Sequence, residues 1–127
     1  MRKIALTSQI MQVLKPALLG AKGTVKGEIE RGISQLYITS NNNLYLVLRA
    51  EGSQLVIVAA AGRKLKESRQ EIIDFAKNNY FTIIRFHTKH PERLRKSFQG
   101  LPINLVEVRK SLLQKDELVY QLKLNEV

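Results

Sequence analysis

Residues 54–88 read QLVIVAAAGRKLKESRQEIIDFAKNNYFTIIRFHT, and this stretch decides the fold. Gln54 to Ala60 reads as a strand that is apolar at consecutive positions from Leu55 onward, the mark of a central strand covered by helices on both faces. From Lys66 to Asn79 the period lengthens. Leu65, Ser68, Ile72, Phe75, Ala76 and Asn79 share one helical stripe, with Glu67, Glu71 and Lys77 outward. Tyr80 to Thr88 then returns to β-branched and aromatic residues, the composition of a strand. A strand, an amphipathic helix and a second strand make a βαβ unit, whose two strands are expected to be parallel neighbours.

The flanks extend this unit in both directions. Upstream, Leu36 and Ile38 alternate with Tyr37, Ser40-Asn41-Asn42-Asn43 supplies turn chemistry, and Leu44 to Ala50 forms a second strand. Glu51-Gly52-Ser53 then turns into Gln54, so three strands form an antiparallel meander. Two helices are expected before it, punctuated by Gly20 and Gly23. The first is capped by Thr7 or Ser8, carries Ile10, Val13, Leu14, Ala17 and Leu18 inward, and is kinked or ended by Pro16. The second is capped by Thr24, carries Val25, Ile29 and Ile33, and closes near Gly32. Downstream, Pro91 opens a short helix with Leu94 and Phe98 inward, ending at Gly100. Asn104 to Val108 and Glu117 to Leu124 close the chain as a hairpin. The expected order is ααβββαβαββ, an α+β domain spanning 1–127, with helices on both faces of a mixed, mostly antiparallel sheet.

The chain has 127 residues, 21 Lys+Arg against 11 Asp+Glu, and no Cys. Without cysteine there is no disulfide framework, thiolate metal site or cysteine nucleophile, and a reducing, cytoplasmic setting is expected. The longest apolar run, Leu55 to Ala61, falls far short of the ~20 residues of a membrane-spanning helix. The formal charge of +10 is concentrated in two segments, 63–69 and 85–96. A charge of that sign either keeps a basic surface solvated or attracts anionic partners such as nucleic acid.

The element order, together with Ala61-Gly62 and the helix residues Ile72-Ile73-Asp74-Phe75-Ala76-Lys77, resembles the GNAT superfamily of acetyl-CoA-dependent N-acyltransferases. The likeness runs from about Met11 to Leu124. Short bacteriophage GNAT-like proteins share the Ala61-Gly62-Arg63 loop and the Phe75-Ala76-Lys77-Asn78 helix exit. The resemblance implies an acyl-CoA-dependent N-acetyltransferase, phage-derived and cytoplasmic or virion-associated, with an amine acceptor. It implies a sheet splayed at Gln54 to Ala60 against Tyr80 to Thr88, and cofactor contacts at Val58, Ala59, Ala60, Arg63, Lys64, Lys66, Ser68 and Arg69. Setting Ile72-Ile73 on the family's paired apolar positions lays its phosphate loop on Lys64 to Arg69. There Lys64 keeps the cation, while Glu67 and Arg69 replace small residues that let backbone amides approach phosphate. The family's general-acid tyrosine falls on Lys96, and the sequence has no tyrosine between Tyr80 and Tyr120.

The residues alone leave the catalytic groups open. His87 or His90 could act as a base near the cofactor thiol, and Glu51 and Glu107 are strand-terminal carboxylates able to deprotonate an amine. The His87/His90 spacing would suit a metal only on a helix, and Pro91 argues for extended chain there, so no metal is expected. The second reading of the chain is a non-catalytic basic module that binds nucleic acid, or a phage or host protein, through segments 63–69 and 85–96. A structural virion or assembly protein is the third. Tyr37, Tyr45 and the edge of the meander offer a strand-pairing surface for a homo-oligomer.

Overall fold

The computed structural model describes residues 1–18 and 22–127. Gly20, read above as punctuation, lies outside them. The elements are β1 (Arg2–Lys3), α1 (Ser8–Leu18), α2 (Lys22–Glu30), β2 (Ser34–Ile38), β3 (Leu44–Glu51), β4 (Gln54–Gly62), α3 (Leu65–Asn78), β5 (Ile83–Thr88), α4 (Pro91–Ser97), β6 (Ile103–Arg109) and β7 (Glu117–Lys123). A 3-10 turn, Leu124–Glu126, closes the chain. One seven-stranded sheet runs β1-β2-β3-β4-β5-β7-β6. Its pairs are antiparallel except β4 with β5, the parallel pair expected of the βαβ unit. None of the described helices is long and apolar enough to cross a membrane.

The central position of β4 follows from its unbroken apolar run, because each face meets a different core. On one face Leu46, Leu48, Leu55, Ile57, Ile84 and Leu122 pack against Ile72, Ile73 and Ala76 of α3 and Phe98 beyond α4. Phe86 and Phe98 meet here with ring centroids 4.7 Å apart. On the other face Leu36, Val47 and Ala59 pack against Met11, Leu14 and Leu18 of α1 and Val25 of α2. Each such Leu, Ile or Phe removed from water contributes about 1.5–3 kcal/mol, so two separate hydrophobic layers hold both helix sets to one sheet.

Several elements depart from the sequence reading for local reasons. Thr7 caps α1 as read, its Oγ1 accepting from the Ile10 amide at 3.2 Å. Pro16 does not end the helix, which is described as far as Leu18. Val13 is exposed, leaving Met11, Leu14 and Leu18 as the buried stripe. Thr24 lies inside α2, which has begun by Lys22, and Ile33 is exposed beyond it. Gly32 closes α2 with φ +77°, the left-handed conformation that lets Ile33 N–H return to Glu28 O at 2.8 Å. Tyr80 does the same for α3. It holds φ +65° and is 91% exposed, while Phe81 N–H returns to Ala76 O, so β5 starts at Ile83 and not at Tyr80.

The meander edge is also different from the expectation. Arg2 and Lys3 pair with Ile38 and Tyr37, and Ile4 N–H donates to Leu36 O, so the outer side of β2 is largely covered. Tyr37 packs edge-on against Phe75 at 5.0 Å and Tyr45 lies against the α1-side core.

Candidate active site

The β4–β5 ladder is short. It runs from Gln54 opposite Ile83 to Ile57 opposite Phe86 and stops. Beyond it β4 stays on β3 as far as Gly62, and β5 stays on β7 as far as Thr88. The cause is a bulge. Leu48 pairs Ile57 and Val47 pairs Ala59, so Val58 is an extra residue with no partner in either ladder. The strands diverge from that point and open a cleft of about 490 Å³ between Ile57–Gly62 and Phe86–His90. Its wall includes Val13, Pro16 and Ala17 of α1, which accounts for the exposure of Val13. Because β4 is laddered to β3 on one side only, the backbone groups of its other side face the cleft and must find partners in solvent or ligand.

At the end of β4 the chain passes very close to β3. Gly62 has φ +129°, and a Cβ there would stand 2.2 Å from Asn43 O, so only glycine allows the approach. Arg63 N–H donates to Asn43 O at 2.8 Å, Lys64 turns through φ +65°, and α3 begins at Leu65 with no side chain capping its first amides. Those amides and the helix dipole make the α3 start attractive to anions. Arg63, Lys64 and Lys66 are all exposed around it, and Lys89, His90 and Arg93 line the opposite side of the cleft.

A second cleft of about 320 Å³ opens on the α1 face of the sheet. It shares Ala17, Val58, His87, Thr88 and Lys89 with the first, and adds Arg49, Arg109 and Glu117. His87 therefore stands at the junction of the two. Its Nδ1 is 2.7 Å from Glu117 Oε1, and its Nε2 accepts from Arg85 Nε at 3.0 Å. A ring nitrogen that accepts from a guanidinium cannot carry a hydrogen itself, so the assigned tautomer has its proton on Nδ1, donated to Glu117. Arg85 is held in turn by Gln54 and Glu51.

No family model matches the chain, and no curated protein matches it. Solved structures do. The ribosomal-protein-S18-alanine N-acetyltransferase of Escherichia coli superposes with TM-score 0.68 at 8% identity, over 97% of this chain and 93% of that one. A probable acetyltransferase of Staphylococcus epidermidis gives 0.65 at 10% identity, over 96% of both chains. A Salmonella typhimurium protein assigned as an acetyltransferase, solved with its cofactor acetyl-CoA, gives 0.55 at 10% identity, over 84% of this chain and 73% of that one. The chain has the fold of the GNAT N-acetyltransferases.

Within this GNAT fold the eight residues singled out for the cofactor fall into three groups. Val58, Ala59 and Ala60 line the cleft. Arg63, Lys64 and Lys66 surround the start of α3. Ser68 and Arg69 turn away. Ser68 is buried with its Oγ unpartnered, and Arg69 donates to Gln99 O at 2.7 Å and to Ser97 O at 3.4 Å, bracing α3 against the end of α4. Glu67 lies in the first turn of α3 and sets a negative charge near the same amides.

The carboxylates suggested as bases are both committed to arginines. Desolvation pushes the Glu51 carboxyl up, but Arg85 and Arg49 together hold it below the ordinary value. Arg109, 2.7 Å away, holds Glu107 below it too. Glu117 went unremarked in the sequence, because its closeness to His87 depends on β7 lying between β5 and β6. Lys96, on which the sequence resemblance sets the family's tyrosine, is exposed. Tyr120 reaches the same helix from β7, its hydroxyl accepting from Arg95 Nη2 at 3.1 Å, but it is buried and does not line either cleft.

Proposed function

We propose that the chain is an acyl-CoA-dependent N-acyltransferase that uses acetyl-CoA and an amine acceptor. The observation that carries this reading is the early end of the β4–β5 ladder at Ile57 and Phe86. It leaves an unpaired strand edge beside a cleft whose mouth is ringed by cations. Such a site suits a ligand with an extended, amide-bearing arm and a phosphorylated end. Val58, Ala59 and Ala60 offer backbone groups to the arm, and Arg63, Lys64, Lys66, Lys89 and Arg93 offer charge to the phosphates. Because Glu67 replaces a small residue in the first helical turn, side chains carry more of the phosphate binding here than backbone amides do.

The bound cofactor would supply an activated acyl thioester. The amine enters by the second cleft. His87 Nε2 removes a proton as the N–C bond forms and the C–S bond breaks, while Glu117 keeps the other ring nitrogen protonated and steadies the resulting imidazolium. Arg85 can leave Nε2 without becoming unpaired, since Glu51 and Gln54 already hold it. The departing thiolate takes its proton from water. Both basic segments flank one cleft, and Arg69 and Arg85 bind protein groups, which supports a cofactor role for the charge over a nucleic-acid surface. A phage or prophage setting rests on the Ala61-Gly62-Arg63 and Phe75-Ala76-Lys77-Asn78 matches.

Thermal melts with acetyl-CoA test the reading. At 100 times the dissociation constant the ligand should stabilise the fold by ~2.7 kcal/mol, which for this chain length is a rise of about 10 °C. Thiol release from acetyl-CoA with a panel of amines then reads the transfer itself. A melting temperature unmoved by millimolar acetyl-CoA refutes the proposal.

A further inference from the structure

The two edges of the sheet differ sharply. One is β1, a two-residue strand of Arg2 and Lys3, short and charged in the way that protects edges against pairing. The other is β6, seven residues long and laddered only to β7. It leaves Leu105, Val106 and Val108 between 43% and 49% exposed, and Leu112 and Leu113 in the following turn are 102% and 96% exposed. A long open edge with a row of bare aliphatic side chains is a template for strand addition.

The sequence of this edge is complementary to itself. Glu107 and Arg109 lie two residues apart on the same face of β6, with Val108 between them. In an antiparallel pair related by a two-fold axis through Val108, each Glu107 stands directly across from the partner's Arg109, and each Arg109 from the partner's Glu107. Leu112 and Leu113 lie in the turn beyond β6, and the register irregularity at Val106 sets Leu105 apart from the paired segment, so it is the charges that this alignment matches. We infer that β6 pairs with β6 of a second copy, extending the sheet through a two-fold axis at Val108. Arg109 lines the second cleft, so the partner's Glu107 would lie beside that cleft.

Sedimentation equilibrium at several protein concentrations, with charge-swapped variants, tests the inference. Wild-type protein should show twice the 14.5 kDa chain mass. Glu107→Arg and Arg109→Glu should each raise the dimer dissociation constant about tenfold or more, since each sets like charges opposite across the axis twice. The double swap, Glu107→Arg with Arg109→Glu, should restore association. Both side chains are half exposed, so circular dichroism should show all three variants folded. A wild-type protein that is monomeric throughout overturns the inference. So does a dimer indifferent to either single swap, or a double swap that stays monomeric.

Discussion

Gly62→Ala should be among the costliest one-methyl substitutions in this chain. The new Cβ would meet Asn43 O at 2.2 Å and Leu44 Cα at 3.1 Å, both backbone atoms that cannot rotate aside. Relief requires either that φ leave +129° or that the end of β4 draw back from β3. Either movement breaks the 2.8 Å bond from Arg63 N–H to Asn43 O. Holding a residue with a Cβ in the left-handed region costs about 1–2 kcal/mol, and losing the backbone bond adds about 1 kcal/mol. Together these give about 2–3 kcal/mol, or roughly 8–12 °C in melting temperature at this chain length. Gly52→Ala is the matched control. Its φ is +59° and nothing lies within 4 Å of its Cβ. It should lose only the conformational part, about 1 kcal/mol or 4 °C. Differential scanning fluorimetry of the two variants measures the difference directly. Because Gly62 also aims the start of α3, acetyl-CoA should stabilise Gly62→Ala less than Gly52→Ala. Equal losses of melting temperature in the two variants would refute the clash argument.

Three further outcomes follow from the site and the surface charges. His87→Gln should lower kcat by about 10²–10⁴-fold with little change in acetyl-CoA affinity, and Glu117→Gln should shift the pH–rate profile as well; wild-type turnover in the His87 variant would remove it from the reaction. Replacing Arg63, Lys64 and Lys66 together by alanine should weaken acetyl-CoA binding and flatten its dependence on salt; an unchanged salt slope in titration calorimetry would place the phosphates elsewhere. The third outcome concerns acid stability. Desolvation raises the Glu71 carboxyl, but the Met1 ammonium at 2.7 Å and Ser40 hold it below its ordinary value. A carboxylate depressed in the folded state stabilises the fold above its unfolded pKa and loses that contribution as pH falls through the folded one. Glu71→Gln should therefore melt lower than wild type at neutral pH and converge on it in acid; parallel melting curves across that range would contradict the assignment.

The βαβ unit was legible in residues 54–88 because its signals are local: a continuous apolar run, a change of period from two to 3.6, and a return. The GNAT resemblance followed from element order. What escaped the sequence was set by position in space. β1 is two residues long and carries no periodicity. Tyr80 looked like strand because it is aromatic, yet it occupies the left-handed stop of α3 that a glycine more often fills. Val13 looked like core because it is apolar, yet it lines the wall of the open cleft. His87 and Glu117 are distant in sequence, and nothing in either segment announces that β7 inserts between β5 and β6. Arg69 came to the cofactor through the family resemblance, and the carbonyls at the end of α4 that it reaches lie some thirty residues away in sequence.

The bulge at Val58 bears on how this strand tolerates change. Before it, Leu55 and Ile57 face α3; after it, Ala59 joins Val47 beneath α1 and Ala60 returns to the α3 side. The extra residue is a phase slip, and the gap beside it depends on the number of residues in β4 more than on their identity. Conservative substitution at 58–61 changes what lines the gap and leaves the gap in place. Deleting a single residue there would restore the alternation and let β4 continue along β5, with Gly62 still opposite Leu44. Such a variant should remain folded yet gain no thermal stability from acetyl-CoA. Whether this strand can admit a ligand is thus decided by parity, and drift by substitution alone leaves that parity untouched.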